Sequence, residues 1–88
     1  MTIEFPNLSR RYDATRHCVR FSGYDGALER PFFVEEEALW GLDAMARNSG
    51  AALLAAFDRH GADPIAVAIK LYGRRREGSY TLTPADFS

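Results

Sequence analysis

The stretch RHCVRFSGYDGALERPFFVEEEAL, residues 16–39, joins the pattern of a β-hairpin to the start of a helix. Residues 23–26 read Gly-Tyr-Asp-Gly, and Asp-Gly predicts a tight turn because both residues tolerate a positive φ angle. Before this turn, Val19 and Phe21 alternate with polar residues. The stretch therefore predicts two antiparallel strands that lead directly into a helix.

Alternation along these two strands separates a core face from a solvent face. When the strands pair across a loop of two or four residues, odd positions of the first strand lie opposite even positions of the second. The predicted core face consists of Val19, Phe21, Leu28, Phe32 and Val34. The opposite face, which we expect to meet solvent, carries Arg16, Arg20, Glu29 and Phe33.

After Val34 the apolar period changes from two residues to about three and a half. The spacing predicts a first helix that carries three glutamates in its first turn and ends at residues 48–50, Asn-Ser-Gly. Its apolar stripe consists of Ala38, Leu39, Leu42, Met45 and Ala46. Trp40 lies off this stripe, so we expect it at the margin of the core or on a contact surface.

Two more helices and a strand are predicted in the second half of the chain. The second helix spans about residues 51–60, and a third follows a break at residues 61–64. Asp63 is expected as the N-cap of the third helix and Pro64 as its first residue. Tyr80 and Leu82 alternate as in a short strand, and the final residues 83–87 resemble a capping box.

These elements predict an α+β fold in one domain over residues 1–88. The expected architecture is a small two-layer domain. An antiparallel sheet of three or four strands packs against two or three helices, and the sheet combines the N-terminal hairpin with the C-terminal strand. Ile3 and Phe5 predict a further short strand at the start of the chain.

Composition excludes several classes of protein. The formal net charge of -1 provides no overall field that would attract nucleic acid or an anionic membrane. The single cysteine, Cys18, excludes an intramolecular disulfide and is typical of a reducing cytoplasm. No signal-peptide pattern or membrane-spanning apolar run is present. Ten of the eleven basic residues are arginine, as in proteins from GC-rich bacterial genomes, so we expect a cytoplasmic bacterial protein.

Four segments of the sequence, in order, resemble a known bacterial family. They are VRFSGYDGALERPFFVEEEAL, AFDRH, IAVAIKLY and GSYTLTPADF. The matching positions are Val19, Phe21, Ala38, Leu39, Phe57, Ile65, Ala68, Tyr80, Leu82, Asp86 and Phe87. The family is domain of unknown function 1488, whose members are short single-domain proteins. The resemblance covers nearly the whole chain, and it implies an α+β fold and no assigned activity.

This sequence departs from the family pattern at two places. The family often has Ser or Thr as the cap of the first helix, and Glu35 stands near that position here. The family also tends to continue as one helix through the segments AFDRH and IAVAIKLY. Gly61 and Pro64 predict a break or kink between them in this chain.

The densest basic cluster consists of Arg74, Arg75 and Arg76, with Lys70 one helical turn earlier. Such a cluster is a candidate contact for nucleic acid or phosphate. The favoured interpretation is a solvated helix C-terminus, where cations offset the helix dipole. His60 lies near Asp58 and Asp63, but a metal site usually needs three or four convergent ligands, so no metal or other cofactor is predicted.

No arrangement of a nucleophile, a base and an orienting partner is recognisable, so we predict that the protein is not an enzyme. The leading hypothesis is a non-catalytic binding or accessory protein, and a homodimer is one form that it could take. Its candidate protein-interface residues are Trp40, Phe33 and Arg20. The alternative is a small nucleic-acid-associated regulator that uses the arginine cluster. The sequence predicts no membrane partner.

Overall fold

The structure, a computed structural model, describes residues 3–6 and 9–87 of the chain, without the side chains of Met45 and Asn48. The predictions that involve those two side chains lie outside this description. The strands are β1 (Arg10–Asp13), β2 (Cys18–Asp25), β3 (Leu28–Glu35) and β4 (Tyr80–Leu82). The α-helices are α1 (Glu36–Leu42), α2 (Gly50–Arg59) and α3 (Ala62–Arg74). Short 3-10 helices span Ala44–Asn48 and Pro84–Phe87.

The four strands form one sheet in the order β1-β2-β3-β4, which confirms the predicted α+β class. The first three strands are antiparallel, but β4 runs parallel to β3, so the prediction of an antiparallel sheet is wrong at this edge. The three helices lie between β3 and β4 in the chain, and a connection of that length can return the chain to the same end of the sheet.

The register of β2 and β3 produces the core face that the alternation predicts. Val19 lies opposite Val34 and Phe21 opposite Phe32, and all four side chains are buried. Leu28 shares their parity but is 57% exposed, and it pairs with Asp25 next to the turn. The expectation that Leu28 joins the core is therefore wrong.

The turn between β2 and β3 consists of Gly26 and Ala27, so it lies later in the sequence than predicted. Gly26 has the positive φ of 64° that this turn requires. Gly23 instead belongs to β2, where a Cβ atom would lie 2.6 Å from the ring of Phe5 and 2.8 Å from the side chain of Ile3. Close packing, and not turn formation, explains this glycine.

A row of aromatic rings crosses the core face of the sheet. The ring centroids of Phe21 and Phe32 lie 5.4 Å apart, and those of Phe32 and Tyr80 lie 5.0 Å apart. Phe57 from α2 contacts Phe21 at 5.1 Å, and Tyr72 from α3 contacts Tyr80 edge-on at 5.9 Å. Aromatic contacts thus join α2 and α3 to the sheet and contribute about 0.5–1.5 kcal/mol per pair beyond burial.

The first predicted helix divides into two elements. The α1 helix ends at Leu42, and Asp43 adopts an extended conformation before the 3-10 helix begins. The Asp43 carboxylate accepts hydrogen bonds from Arg59 of α2, which holds this residue away from a helical path. The prediction of one helix up to residue 48 is therefore wrong.

The two later helices are separate, as Gly61 and Pro64 predict. Ser49, which was expected in the loop after the first helix, is the N-cap of α2, and its hydroxyl accepts the N–H of Ala52 at 3.0 Å. The α3 helix begins at Ala62, so Asp63 lies in its first turn and is not its N-cap as predicted. The Asp63 carboxylate still complements the helix dipole there.

The helices pack on one face of the sheet only, and this leaves the opposite face without a covering element among the described residues. Arg11 and Arg20 on that face are exposed, as are Glu29 and Thr81. In the described part of the chain, no helix has both the length and the apolar character needed to cross a membrane.

Candidate functional site

The uncovered face of the sheet is the candidate site, and we call it the outer face. Its residues are those of one parity along the four strands: Arg11, Asp13, Cys18, Arg20, Ser22, Tyr24, Glu29, Pro31, Phe33, Glu35 and Thr81. Four of these residues form one straight row across all four strands, because Arg11 pairs with Arg20, Arg20 with Phe33, and Phe33 with Thr81. The row joins two cations, an aromatic ring and a hydroxyl group.

Phe33 lies on the outer face, as the alternation predicts, but only 7% of it is exposed. The guanidinium group of Arg16 covers its ring at 3.9 Å from the centroid, and that of Arg20 lies at 5.8 Å. The arginines therefore hide the ring from water while their charged ends stay on the surface. A partner that meets this face would first contact arginine.

A groove of about 350 Å³ runs along the outer face beside the row. Arg11 and Arg20 lie in its wall together with Tyr24. The Ser22 hydroxyl lies in the same groove and donates a hydrogen bond to the carboxylate of Glu29 at 2.6 Å. The groove therefore presents cationic, anionic, aromatic and hydrogen-bonding groups together.

Two charged residues of β1 form hydrogen bonds within the protein. Arg10 also lines the groove, but its guanidinium donates two hydrogen bonds to Asp58 of α2, at 2.8 and 2.7 Å. This contact holds the pKa of the Asp58 carboxyl below its usual value. Asp13 accepts the backbone N–H groups of Thr15 and Arg16 and so shapes the turn before β2. The Arg10 guanidinium is therefore not available to a ligand without a rearrangement.

Trp40, the third predicted interface residue, lies in the other layer of the fold. It belongs to α1, is half-buried against the core, and has the guanidinium of Arg47 at 4.8 Å from its ring. Its buried Nε1 group has no hydrogen-bond partner among the described residues. The structure thus brings Arg20 and Phe33 together on the outer face and leaves Trp40 apart from them.

The predicted basic cluster lies at the end of α3. Arg75 forms an ion pair with Glu77 at 2.7 Å, and Arg76 stacks over the ring of Tyr72 at 4.6 Å. Arg74 is exposed in the last turn of the helix, and Lys70 is exposed one turn earlier. Two of the three arginines therefore have intramolecular partners.

A second, smaller cleft of about 190 Å³ lies beside this cluster. It is lined by Arg30 and Arg76, with the rings of Tyr72 and Tyr80 between α3 and the sheet. The Tyr72 hydroxyl donates to the carboxylate of Asp25, and this bond raises the pKa of the Tyr72 phenol. The cleft pairs two cations with two aromatic rings.

Each histidine lies beside one carboxylate, and the cysteine is buried. His60 lies 3.5 Å from the Asp43 carboxylate, and His17 lies 3.6 Å from that of Glu36. Cys18 is buried, and its burial raises the pKa of the thiol. Among residues 3–6 and 9–87, no three His, Cys, Asp or Glu side chains are arranged to hold a metal ion.

The β1 strand was not predicted from the sequence, so Arg11 was not placed on the outer face. The segment RRYD, residues 10–13, does alternate, since Arg10 and Tyr12 point to the helices and Arg11 and Asp13 to the outer face. Tyr12 packs against Gly50 of α2 and donates a hydrogen bond to Glu36 at 2.6 Å. Four residues with one apolar ring gave too short a pattern to indicate a strand.

Comparison with known proteins identifies a family for the chain and a solved structure with a similar fold. A family described as Protein of unknown function (DUF1488) matches residues 3–83. Among solved structures, the fold is similar to a DUF1488 protein of unknown function from Shewanella loihica, with a TM-score of 0.81 and 18% identity. That match covers 92% of this chain and 91% of the other. No curated protein matches the sequence. The chain belongs to the DUF1488 family.

Proposed function

We propose that this chain is a non-catalytic accessory protein of the bacterial cytoplasm, which acts by binding another protein through the outer face. The observation that carries the proposal is the row Arg11, Arg20, Phe33 and Thr81 on a sheet face that no described helix covers. Arginine and aromatic residues are enriched at protein interfaces and dominate their binding energy.

The charges of the outer face favour a second copy of the chain as the partner. Arg11 and Arg20 lie on the β1–β2 side, and Glu29 lies on β3. In a two-fold dimer each residue meets a different residue of the same patch, so a patch that carries both signs of charge can be complementary to itself. A homodimer through this face is therefore the form of binding that we propose.

A non-catalytic role agrees with the surroundings of the reactive side chains. The thiol of Cys18 is buried, and its raised pKa disfavours the nucleophilic thiolate. His17 and His60 each lie beside one carboxylate and beside no candidate nucleophile among the described residues. A catalytic site needs a nucleophile or base together with an orienting partner and a position for substrate.

Sedimentation velocity over a wide concentration range tests the dimer. We expect the wild-type chain to sediment as a dimer at high concentration and Arg20→Glu to sediment as a monomer. Lys70→Glu is the matched control, because it makes the same change of charge on an exposed residue of α3 in the helix layer. A wild-type chain that stays monomeric, or an equal effect of both variants, would contradict the proposal.

The second candidate function is a nucleic-acid-associated regulator that uses Arg74, Arg75 and Arg76. The cleft beside these residues favours it, since Arg30 there places a further cation next to Arg76 of the arginine cluster. The net charge and the engagement of Arg75 by Glu77 count against it.

A gel-shift series at increasing salt concentration tests this second candidate. Binding that weakens steeply with salt, and that is lost when the three arginines are replaced by alanine, would support a nucleic-acid role. Binding that does not occur at low salt, or that the triple variant retains, would end this candidate. Arg20→Ala is the control, because it removes one cation from the outer face instead.

A further inference from the structure

Arg11 and Arg20 lie directly opposite each other across the β1–β2 ladder, on the exposed side of the sheet. Side chains at such positions have Cβ atoms roughly 4.5–5.5 Å apart, and like charges placed there destabilise a sheet. Within the described part of the chain, the arginines with carboxylate partners are Arg10, Arg59 and Arg75. Neither Arg11 nor Arg20 forms an ion pair in this part of the chain, so the positive charges at these facing positions are not offset by a direct carboxylate contact.

Among the described residues, the nearby acids Glu29 and Asp13 form no ion pair with either arginine. The Glu29 carboxylate is held by the Ser22 hydroxyl at 2.6 Å, on the part of the groove formed by β2 and β3. Asp13 uses one carboxylate oxygen to accept two backbone N–H groups in the turn before β2. Arg10, the third cation of the groove, is already neutralised by Asp58. Two cations thus remain together at the wall of an open groove.

We propose that Arg11 and Arg20 form a binding site for an oxyanion group, either a carboxylate or a phosphate. Each guanidinium offers planar N–H donors that match the oxygens of such a group, and an anion between the two would offset both positive charges. The groove volume of about 350 Å³ lies at the lower end of the range for small-molecule sites. This site rests on the proposal that the outer face binds a partner, and it specifies the chemical class of the group that binds there.

Titration of the ¹⁵N-labelled chain with inorganic phosphate and, separately, with succinate tests the site. Ionic strength is held constant with chloride, and amide and arginine Nε–H shifts are followed by NMR. We expect saturable shifts confined to the groove. Arg11→Ala and Arg20→Ala should each weaken binding by about tenfold or more, as for loss of a charged hydrogen bond. Arg47→Ala, at an exposed arginine in the helix layer, should leave the affinity unchanged.

The two probes identify the ligand class. Saturation by phosphate alone assigns a phosphate group, saturation by succinate alone assigns a carboxylate, and saturation by both assigns a general oxyanion site. Shifts that never saturate, or that are spread equally over all arginines, would overturn the proposal. Equal affinity of the wild-type chain and Arg20→Ala would overturn it as well.

Arg11→Glu separates a binding role from a structural one. Replacing one of two facing cations by an anion creates a favourable cross-strand pair, so the melting temperature should rise by about 1–5 °C. The same substitution should abolish binding of both probes. A variant that is more stable and still binds would contradict the site. Because these readouts report occupancy and stability, they remain informative if sedimentation shows no dimer.

Discussion

The hydroxyl of Tyr72 donates a hydrogen bond to the carboxylate of Asp25, and this bond ties the last part of α3 to the end of β2. Tyr72 also contacts Tyr80 edge-on, and Arg76 stacks on its ring. A single side chain thus connects a helix, the hairpin and the cation cluster at one end of the molecule.

This bond predicts a loss of stability at alkaline pH. The Asp25 carboxylate favours the neutral phenol, so the pKa of Tyr72 is raised in the folded chain above its unfolded value of about 10. As the pH rises through about 10, the unfolded chain loses this proton first, and the free energy of unfolding falls. Tyr72→Phe should therefore make the decline less steep over about pH 9–11.

Urea unfolding at a series of pH values, followed by the fluorescence of the single tryptophan Trp40, measures this decline. Asp25→Asn is the companion variant, because it keeps the Tyr72 phenol but removes the charge that raises its pKa. The explanation fails if the wild-type chain and Tyr72→Phe lose stability equally over this range.

The glycine at position 23 predicts a sharp difference between two Gly→Ala substitutions. A Cβ at Gly23 would overlap Phe5 and Ile3, so Gly23→Ala should destabilise the fold by about 1–3 kcal/mol. At Gly73, inside α3, a Cβ would meet open space, so Gly73→Ala should stabilise by about 0.5–1 kcal/mol. Chemical denaturation of both variants checks the prediction, and equal effects would contradict the packing role of Gly23.

Strong periodicity explains which parts of the fold were predictable. The pairing of Val19 with Val34 and of Phe21 with Phe32 follows from alternation over eight-residue strands, where a one-residue slip would expose every apolar side chain. The parallel direction of β4 was not predictable, because a three-residue strand carries no information about which neighbour it joins.

Tertiary contacts explain the remaining errors. The α1 helix ends early because Asp43 pairs with Arg59, and these residues are sixteen positions apart. Phe33 could be placed on the outer face from its parity, but its burial depends on Arg16, which reaches it from a turn. The candidate site itself was only partly visible, since Arg11 enters it through the strand that the sequence did not indicate.

The guanidinium of Arg16 stacks over the ring of Phe33, so removing the Arg16 side chain should lower stability modestly. Arg16→Ala should lower the free energy of unfolding by about 0.5–1 kcal/mol, as for a cation–π contact at the surface. Arg74→Ala removes an exposed arginine of α3 and should change the free energy of unfolding by less than about 0.5 kcal/mol. Urea denaturation of the two variants makes the comparison, and equal values would show that the stacking contributes nothing.

Burial of Cys18 predicts slow reaction with thiol reagents. Its raised pKa keeps the thiol neutral, and the thiolate is the reactive form. Modification by a chromogenic disulfide reagent at neutral pH should be far slower in the native chain than in urea, and should accelerate with the fraction unfolded. Fast, complete modification of the native chain would mean that Cys18 is accessible.

Intermolecular paramagnetic broadening tests most directly whether the outer face binds a second copy of the chain. A spin label is placed at Thr81→Cys on the outer face, in a Cys18→Ala background, and this chain is mixed with ¹⁵N-labelled wild-type chain. We expect broadening of amide signals in the ladder around Arg11, Arg20 and Phe33 of the labelled copy, and little effect on α3. Broadening centred on the helices, or none at concentrations where a dimer sediments, would contradict binding through the outer face.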